Sequence, residues 1–236
     1  MVEKLALTDE GKLQEQGSYI HEQVYGRLRE ALMAGELVPG RAISMRRLAA
    51  EFEVSAMPAR EAIRRLVALG ALELTPTRRV MISRMTKERL LEIKAARLAL
   101  EPLLAEAALA NVAKRVREKN KVIRSLEQSD ALLDEAIRKG DVLGYSRFNR
   151  DFHFELYKAS DATVILGLVE SLWLQFGPFM RQVIGRLGTS CLIDDKHKEA
   201  VRAFKECDAE RLKSAIMADI EHGMNTIDVE DAESKR

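Results

Sequence analysis

The chain has 236 residues, 47% of them hydrophobic, which is enough for a buried core in one large domain or two modest ones. Aromatic residues make up only 5%, and the abundance of helix-forming residues favours helices. No uninterrupted apolar run approaches the roughly 18 residues that span a bilayer, and the N-terminus lacks the long apolar segment of a secretory signal. Cys191 and Cys207 lie far apart without a CxxC spacing, which indicates reduced thiols in a cytoplasmic protein.

Charge is unevenly distributed along the chain, although its net value is only +1. Residues 40–84 hold nine arginines and four glutamates, a net charge of +5, so the remainder carries −4. Such an asymmetry attracts a domain to phosphate groups. The alternative interpretation is an ordinary charged face exposed to solvent.

The chain begins with a polar stretch, 1–17, for which we predict a poorly ordered arm. A helix is predicted from Tyr19 to Ala34, because apolar residues recur there at intervals of four. It ends at Gly35, and a turn follows over 36–40. The recurring apolar residues are Ile20, Val24, Leu28 and Leu32.

The segment from Ser44 to Arg65 has the pattern of two short amphipathic helices joined by a turn at 53–55. Ser44 and Ser55 are suited to cap the N-termini of these helices. Apolar residues fall on one face of each helix, namely Leu48, Ala49 and Phe52 in the first and Ala59, Ala62, Ile63 and Leu66 in the second. Five arginines lie off these faces: Arg46, Arg47, Arg60, Arg64 and Arg65.

Gly70 is predicted to end the second helix, and two short strands follow at 71–75 and 80–83. Their connection, 76–79, contains Arg78 and Arg79, so the strands form a hairpin with a basic tip. Two short helices with a basic outer side, followed by a hairpin, describe a winged helix-turn-helix. Such a unit places its second helix in the major groove of DNA.

Beyond Ser83 the pattern is helical to about residue 228, and Thr86 is a plausible first cap. Helices are predicted over 86–110, 112–139, 141–159, 161–186, 190–206 and 208–227. Pro102 and Pro178 are predicted to kink the first and the fourth of them. The predicted fold is therefore mainly α, with a flexible arm at 1–17, a winged helix-turn-helix domain at 18–84, an all-helical bundle at 85–228 and a tail at 229–236.

The order of these motifs resembles a known family of bacterial regulators. The N-terminal part resembles the DNA-binding domain of GntR-type regulators through Pro39-Gly40, Leu48-Ala49, Val54-Ser55, Pro58, Arg60-Glu61-Ala62, Arg64-Arg65-Leu66 and Gly70. The C-terminal part resembles the helical FCD domain of the FadR branch through Arg97, Glu101, the run from Asn149 to His153, and His197. The resemblance covers about residues 18–228 and implies a homodimeric, cytoplasmic transcription factor that binds a palindromic operator in double-stranded DNA.

The resemblance also implies which residues contact DNA. Arg46 matches a position before the turn, Arg60 matches the arginine of the recognition helix, and Ala56 and Met57 match two further base-reading positions. The family usually has Arg and Thr at those two positions, whereas Ala and Met offer only apolar contacts, for instance to a thymine methyl. The wing carries arginines in place of the usual glycine, which suits phosphates or the minor groove. The predicted DNA-binding residues are Arg46, Arg47, Ser55, Ala56, Met57, Arg60, Arg78 and Arg79.

Many FCD domains bind a divalent ion through one Asp and three His, and the resemblance places Asn149, His153, His197 and Asp219 at those positions. Asn149 and His153 are four residues apart and share a helix face. Two imidazoles, one carboxylate and an amide oxygen are reasonable ligands for zinc, nickel, manganese or iron. The alternative is a degenerated site with His153 as an ordinary buried histidine and Asp219 at the surface. His222 is a reserve ligand, three residues after Asp219.

A cavity within a helical bundle is also a place for a small effector. Arg97 matches a family position that faces this pocket, and its guanidinium suits a carboxylate through paired hydrogen bonds. Arg181, on a facing helix, is a second candidate, for which a surface arginine is the alternative interpretation. The resemblance implies small organic acids as the effector class, and a long-chain acyl-CoA fits less well with an intact metal site.

Three functions follow from these patterns. The leading hypothesis is a ligand-responsive transcriptional regulator, a repressor released by a small organic acid. The second is a helical metal-dependent hydrolase fused to a DNA-binding module, although no phosphate-binding glycine loop or GxSxG motif accompanies the histidines. The third is a ligand-binding protein with degenerate DNA specificity, suggested by Ala56 and Met57. We predict no catalytic residue and no enzymatic activity.

Overall fold

The structure is a computed structural model that describes residues 9–37, 39–40, 42–51, 53, 55–77, 79–187 and 195–227. Its N-terminal part contains three helices and a small sheet. The helices are α1 (Asp9–Met33), α2 (Met45–Glu51) and α3 (Ala56–Ala68), and the strands are β1 (Ile43–Ser44), β2 (Leu72–Leu74) and β3 (Arg79–Ile82). The strands are antiparallel in the order β1-β3-β2.

The C-terminal part is entirely helical in the described residues. Its helices are α4 (Lys87–Val112), α5 (Val116–Lys139), α6 (Val142–Lys158), α7 (Thr163–Phe176), α8 (Met180–Leu187), α9 (Lys196–Glu206) and α10 (Ala209–Asn225), with a 3₁₀ turn over Gly177–Phe179 between α7 and α8. α4 packs against α6, α7 and α10, and α5 packs against α6 and α9. The predicted fold class, a winged helix-turn-helix followed by a helical bundle, is confirmed.

Two features of the N-terminal part differ from the prediction. α1 begins at Asp9, ten residues before the predicted start at Tyr19, because Lys12 to Gln16 are good helix formers and no proline interrupts them. The first eight residues of the predicted arm lie outside the described residues. The two-residue strand β1 was not predicted, and it pairs Ser44 with Arg79 of β3. Two residues are too few to show the alternating pattern of a strand, so β1 is recognised only by its pairing with β3.

The helix caps and apolar faces mostly follow the prediction. Ser44 accepts a hydrogen bond from the backbone N–H of Arg47, and Thr86 accepts one from Arg89, both at 3.2 Å. Ser55 occupies the cap position of α3, but its hydroxyl makes no capping hydrogen bond. The predicted buried residues that the structure describes are confirmed, namely Val24, Leu28, Leu32, Ala49, Ala59, Ala62, Ile63 and Leu66. The side chains of Ile20 and Leu48, and all of Phe52, are not described.

The helix predicted over 161–186 is divided into three pieces. Pro178 lacks a backbone N–H, and the chain passes through a 3₁₀ turn there before it resumes as α8. By length and mean hydropathy alone Thr163–Val183 is apolar enough to cross a membrane, although Glu170 and Arg181 interrupt its apolar run. In the structure Trp173, Leu174 and Phe176 are buried in the bundle, as in a core helix. By contrast, α4 continues through Pro102 as a single helix.

α1 packs against both parts of the protein. It contacts α3 on one side and α6, α7 and the 3₁₀ turn on the other. Gly177 lies close enough to the end of α1 that a Cβ atom there would come within 2.6 Å of the Leu32 carbonyl oxygen. Three ion pairs cross the same junction: Arg29 with Glu170, Glu30 with Arg150, and Glu36 with Arg147.

Arg89 makes a further link across this junction. Its Nη2 donates to the backbone carbonyl of Gly70 at 2.5 Å and to Oε1 of Gln175 at 2.7 Å. Gly70, with a φ of +71°, directly follows the C-cap of α3, and Gln175 lies on α7. One guanidinium therefore joins the end of α3 to the helical bundle.

Replacing Gly177 with alanine is expected to destabilise the protein by about 1–3 kcal/mol, because the new methyl group overlaps backbone atoms of Leu32 and Met33. Urea denaturation measures the change in the free energy of unfolding. Gly167→Ala is the matched control, since nothing lies within 4 Å of its added Cβ atom and alanine is the better helix former. Equal unfolding midpoints for the two variants would contradict the close packing at this junction.

Candidate DNA-binding face and candidate metal centre

The predicted DNA-binding residues of α2 and α3 are exposed. The side chains of Arg46, Arg47 and Arg60 make no hydrogen bond or ion pair within the described residues, so their guanidinium groups are available to phosphates or bases. Ser55 and Ala56 are exposed at the start of α3, and Met57 is 67% exposed. An exposed methionine at a helix N-terminus makes few contacts within its own chain, which is consistent with a contact surface.

The wing lies beside the start of α2. The pairing of β1 with β3 sets Arg79 opposite Ser44, the cap of α2. Thr75 closes the wing turn, because its hydroxyl and its N–H both bond the backbone of Arg79. Arg79 is exposed, whereas Arg78 lies outside the described residues.

Two other arginines of α3 have a different environment. Nη1 of Arg65 donates to Glu22 at 2.9 Å, and its guanidinium lies 3.8 Å from the centroid of the Tyr25 ring. These contacts attach α3 to α1. Arg64 lies 3.7 Å from Glu61 on the same helix. Arg46, Arg47 and Arg60 are therefore distinguished from Arg65 by having no intramolecular partner among the residues that the structure describes.

Three of the four predicted metal ligands converge inside the bundle, from α6, α9 and α10. Nε2 of His153 lies 3.0 Å from Oδ2 of Asp219, and Nε2 of His197 lies 3.6 Å from Oδ1 of the same carboxylate. Both histidines are buried, and the Asp219 side chain is 24% exposed. Neither Nε2 atom is in hydrogen-bond geometry with any described residue. Two buried imidazole nitrogens and a carboxylate thus lie close together with no hydrogen bond between them among the described residues. This arrangement suits the ligands of a metal ion.

The electrostatic environment favours the ligand forms of these groups. Burial lowers the pKa of the His197 imidazole, so its neutral, metal-binding form is favoured. Burial by itself would raise the pKa of Asp219, but the neighbouring His197, His153 and Arg97 outweigh it and hold that pKa well below its ordinary value. The site therefore presents an ionised carboxylate beside a neutral imidazole, which fits a divalent cation.

The remaining predicted ligands have different positions. Asn149 lies one turn before His153 on α6 and is 4% exposed, and its amide has no hydrogen-bond partner among the described residues. It remains a candidate fourth ligand. His222 is exposed on the last turn of α10 and is not among the groups that converge with Asp219, so the structure does not support its suggested role as a reserve ligand. Asp219 and His222 are three residues apart on α10, but the Asp219 carboxylate points into the bundle whereas the His222 ring is exposed to solvent.

A second polar cluster surrounds Glu101, which is fully buried. Its Oε1 accepts from Nε of Arg97 at 2.5 Å and from the Trp173 indole at 3.0 Å. Its Oε2 accepts from Nη2 of Arg97 at 3.2 Å and from the Tyr157 hydroxyl at 2.7 Å. The Tyr157 oxygen lies 3.0 Å from Nδ1 of His153, which connects this cluster to the candidate metal centre.

This arrangement changes the expectation for the two predicted effector-binding arginines. Arg97 is buried and already paired with Glu101, and its guanidinium lies 4.6 and 4.5 Å from the ring centroids of Trp173 and Phe176. An effector carboxylate would have to displace Glu101 to bind it. Arg181 lies on α8 with its Cγ beside Gly35, and it has no hydrogen bond or ion pair with the cluster among the described residues.

A group of carboxylates holds the start of α9 against α5. The ammonium of Lys198 contacts Asp134 at 2.8 Å, Asp130 at 3.6 Å, and Asp195, the N-cap of α9. Burial, together with the charges of Asp195 and Asp134, raises the pKa of Asp130 to about 6. His197 lies in the first turn of α9, so this network fixes the position of a predicted metal ligand.

Comparison with known proteins agrees with this architecture. Residues 20–82 match the family model described as bacterial regulatory proteins of the gntR family, and residues 92–222, more than half of the chain, match the FCD domain. The chain belongs to the GntR family of FCD-domain regulators. This regulator is 29% identical over 157 residues to the HTH-type transcriptional regulator McbR of Escherichia coli strain K12, a match that covers 66% of this chain and 68% of McbR.

Solved structures of related regulators have the same fold. The structure of E. coli McbR/YncC superimposes with a TM-score of 0.77 at 25% identity, covering 87% of this regulator and 97% of that chain. A GntR transcriptional regulator from Rhodococcus sp. RHA1 gives a TM-score of 0.65 at 21% identity, over 87% of this regulator and 95% of that chain. The predicted ligand-responsive DNA-binding regulator is thereby confirmed, and none of these matches supports the hydrolase alternative.

Sequence reasoning missed two residues of the buried cluster in this regulator. Tyr157 follows His153 by four residues on α6, so helical spacing was sufficient to place them side by side. Trp173 comes from α7, and no local pattern connects it with Glu101.

Proposed function

We propose that this regulator is a cytoplasmic repressor that binds a palindromic operator as a homodimer and is released by a small organic acid. The observation that carries the sensing half of this proposal is the metal centre. The two unpartnered Nε2 atoms of His153 and His197 and the Asp219 carboxylate lie inside the FCD domain. A divalent ion, with zinc, nickel, manganese and iron as candidates, satisfies all three groups at once.

The charge of the buried cluster supports an anionic effector. Arg97 carries +1 while Glu101 and Asp219 carry −1 each, so these three side chains give the cluster a net charge of −1. A bound divalent ion would bring it to +1 and supply an open coordination position. A compact carboxylate then has a favourable site, whereas Arg97 serves mainly to neutralise Glu101.

The exposed N-terminus of α3 supports the DNA-binding half. The free hydroxyl of Ser55 and the unsatisfied N–H groups of the first turn suit a backbone phosphate. Arg60, one turn further, is then placed for a base edge, and Ala56 and Met57 for thymine methyl groups. Arg46, Arg47, Arg78 and Arg79 complete the proposed contacts from α2 and the wing.

The junction between the two domains supports a route for the response. Trp173 contacts the buried cluster, and Gln175, two residues later on α7, accepts a hydrogen bond from Arg89. Arg89 also bonds Gly70 at the end of the proposed recognition helix. A shift of α7 would therefore change the position of α3, and the effector acts by favouring one of the two arrangements.

An apolar stripe on α4 supports pairing with a second copy. Leu91 and Leu103 are 56% and 48% exposed, and the exposed alanines between them recur at the same interval of four: Ala95 and Ala99. A palindromic operator needs two recognition helices about one DNA turn apart, which a second copy of this chain supplies.

Fluorescence anisotropy with labelled DNA from the gene's own upstream region tests the proposal. We expect an affinity for one palindrome at least 1000-fold above that for random duplex, and much weaker binding to a single half-site. Weak binding that is equal for all sequences and falls steeply with salt would instead indicate the alternative function, a ligand-binding protein with degenerate DNA specificity.

A further inference from the structure

The buried hydrogen-bond chain from Arg97 to His153 has a defined direction. Both oxygens of Glu101 accept from the Arg97 guanidinium and Oε1 also accepts from the Trp173 indole, so this carboxylate acts as an acceptor in the ion pair. The Tyr157 hydroxyl, 2.7 Å from Oε2 of Glu101, must therefore donate its single hydrogen to that carboxylate. Its oxygen is left as an acceptor.

The consequence for His153 follows from the same count of hydrogens. Its Nδ1 lies 3.0 Å from the Tyr157 oxygen, and because that oxygen has no hydrogen left to give, Nδ1 must be the donor. A neutral imidazole carries one N–H, so Nε2 then has a lone pair. That atom lies 3.0 Å from a carboxylate oxygen of Asp219 and is not in hydrogen-bond geometry with it. A lone pair that faces a carboxylate oxygen is repelled by it unless one cation is bound by both groups.

We propose that Tyr157, oriented by Glu101, is a positioning residue that keeps His153 in the Nδ1–H tautomer and so makes Nε2 the atom offered to the metal. The role of this tautomer in metal binding rests on the proposed metal centre. The tautomer itself is a property of the metal-free protein. Partners of this kind around a metal site change affinity by about tenfold to a hundredfold.

Without the Tyr157 hydroxyl, the other tautomer becomes favourable. After a small rotation of the ring, Nε2–H of His153 can then donate to the Asp219 oxygen 3.0 Å away, and this internal hydrogen bond competes with a metal ion for the same two atoms. Tyr157→Phe removes the hydroxyl and keeps the ring. Tyr145→Phe is the matched control, a buried tyrosine on the same helix that lies eight residues, or about 12 Å at 1.5 Å per residue, from His153.

Nitrogen-15 NMR of the histidine rings in the metal-free protein reads the tautomer directly. The chain has only four histidines, so the signals of His153 are assigned by their loss in His153→Gln. We expect Nδ1–H in the wild type and in Tyr145→Phe, and a shift towards Nε2–H in Tyr157→Phe. An Nε2–H tautomer in the wild type would overturn the proposal without any variant.

Zinc affinity, measured by competition with a chromogenic chelator, is the second readout. Tyr157→Phe is expected to bind Zn²⁺ about tenfold to a hundredfold more weakly than the wild type, and Tyr145→Phe equally well. Unchanged zinc affinity and tautomer in Tyr157→Phe would overturn the positioning role while the metal centre stands. A wild type with the Nδ1–H tautomer but no zinc binding would support the hydrogen-bond chain and refute the proposed metal centre.

Glu101→Gln offers an independent test if Tyr157→Phe fails to fold. A glutamine keeps the shape, and its oxygen is expected on the side of the two strong donors, Arg97 Nε and Trp173 Nε1. Its amide N–H₂ then replaces the Oε2 that accepted from Tyr157 at 2.7 Å and from Nη2 of Arg97 at 3.2 Å, so the Arg97 contact is lost and Tyr157 must turn its hydrogen towards His153. We therefore expect Nε2–H in this variant, and an unchanged Nδ1–H tautomer would contradict the directed chain.

Discussion

Replacing Arg60 with alanine is expected to reduce specific operator binding by about 1–3 kcal/mol, or roughly tenfold to more than a hundredfold in Kd. Arg60 is exposed on α3 and has no intramolecular partner in the described residues, so its removal leaves the fold unchanged. Discrimination between the operator and random duplex should fall with it, because a base contact carries sequence information that a phosphate contact does not. Anisotropy titrations on both DNAs measure the two effects.

Arg138→Ala is the matched control for this prediction. It removes the same charge from an exposed position in the last turn of α5, in the FCD domain. Its affinity and specificity should equal those of the wild type. An Arg60→Ala variant that binds the operator as tightly as Arg138→Ala would refute the assignment of α3 as the recognition helix.

Replacing His153 with alanine is expected to abolish specific metal binding. At a free zinc concentration of about 100 times the Kd, binding stabilises the wild type by about 2.7 kcal/mol, and this gain should vanish in the variant. Elemental analysis of the purified protein and denaturant unfolding with and without Zn²⁺ measure the two quantities. The stability of the metal-free variant also falls, because the imidazole fills a buried position against Phe152, Trp173 and His197.

His222→Ala provides the control, since this histidine lies three residues after Asp219 but is exposed. It should bind zinc like the wild type. If both variants kept the same zinc content, the ion would be bound elsewhere. The three converging groups would then be an ordinary interaction between two buried histidines and a carboxylate.

The winged helix-turn-helix was predictable from the sequence because its signals are local. Apolar residues of α3 at helical spacing, the glycine that ends it, and the arginines left off its buried face are all contained within about 25 residues. The two candidate ligands on α6 were visible in the same way, from the interval of four between Asn149 and His153. Residues 188–194, 228–236 and Arg78 lie outside the described residues, so predictions for them remain predictions.

The state of Arg97 could not be predicted from the sequence. Its spacing from Glu101 allowed an ion pair, but whether an arginine meets its neighbour or a ligand depends on burial. Trp173 and Phe176 from α7 enclose the guanidinium and remove it from solvent, which makes the internal pair the favoured partner. For the same reason, only the packing of α10 against its neighbours shows that Asp219 faces the two histidines while His222 lies at the surface.

The sequence by itself therefore determined the two-domain architecture, the regulator family and the candidate DNA-contacting arginines, since these depend on periodicity and on motifs within single helices. Only the tertiary structure decided which groups face one another inside the FCD domain. It joined His153, His197 and Asp219 from three helices, and it linked the first of them through Tyr157 to Glu101. Hydrogen-bond direction, tautomer and net charge of a buried cluster are set by contacts between distant segments, which no local pattern records.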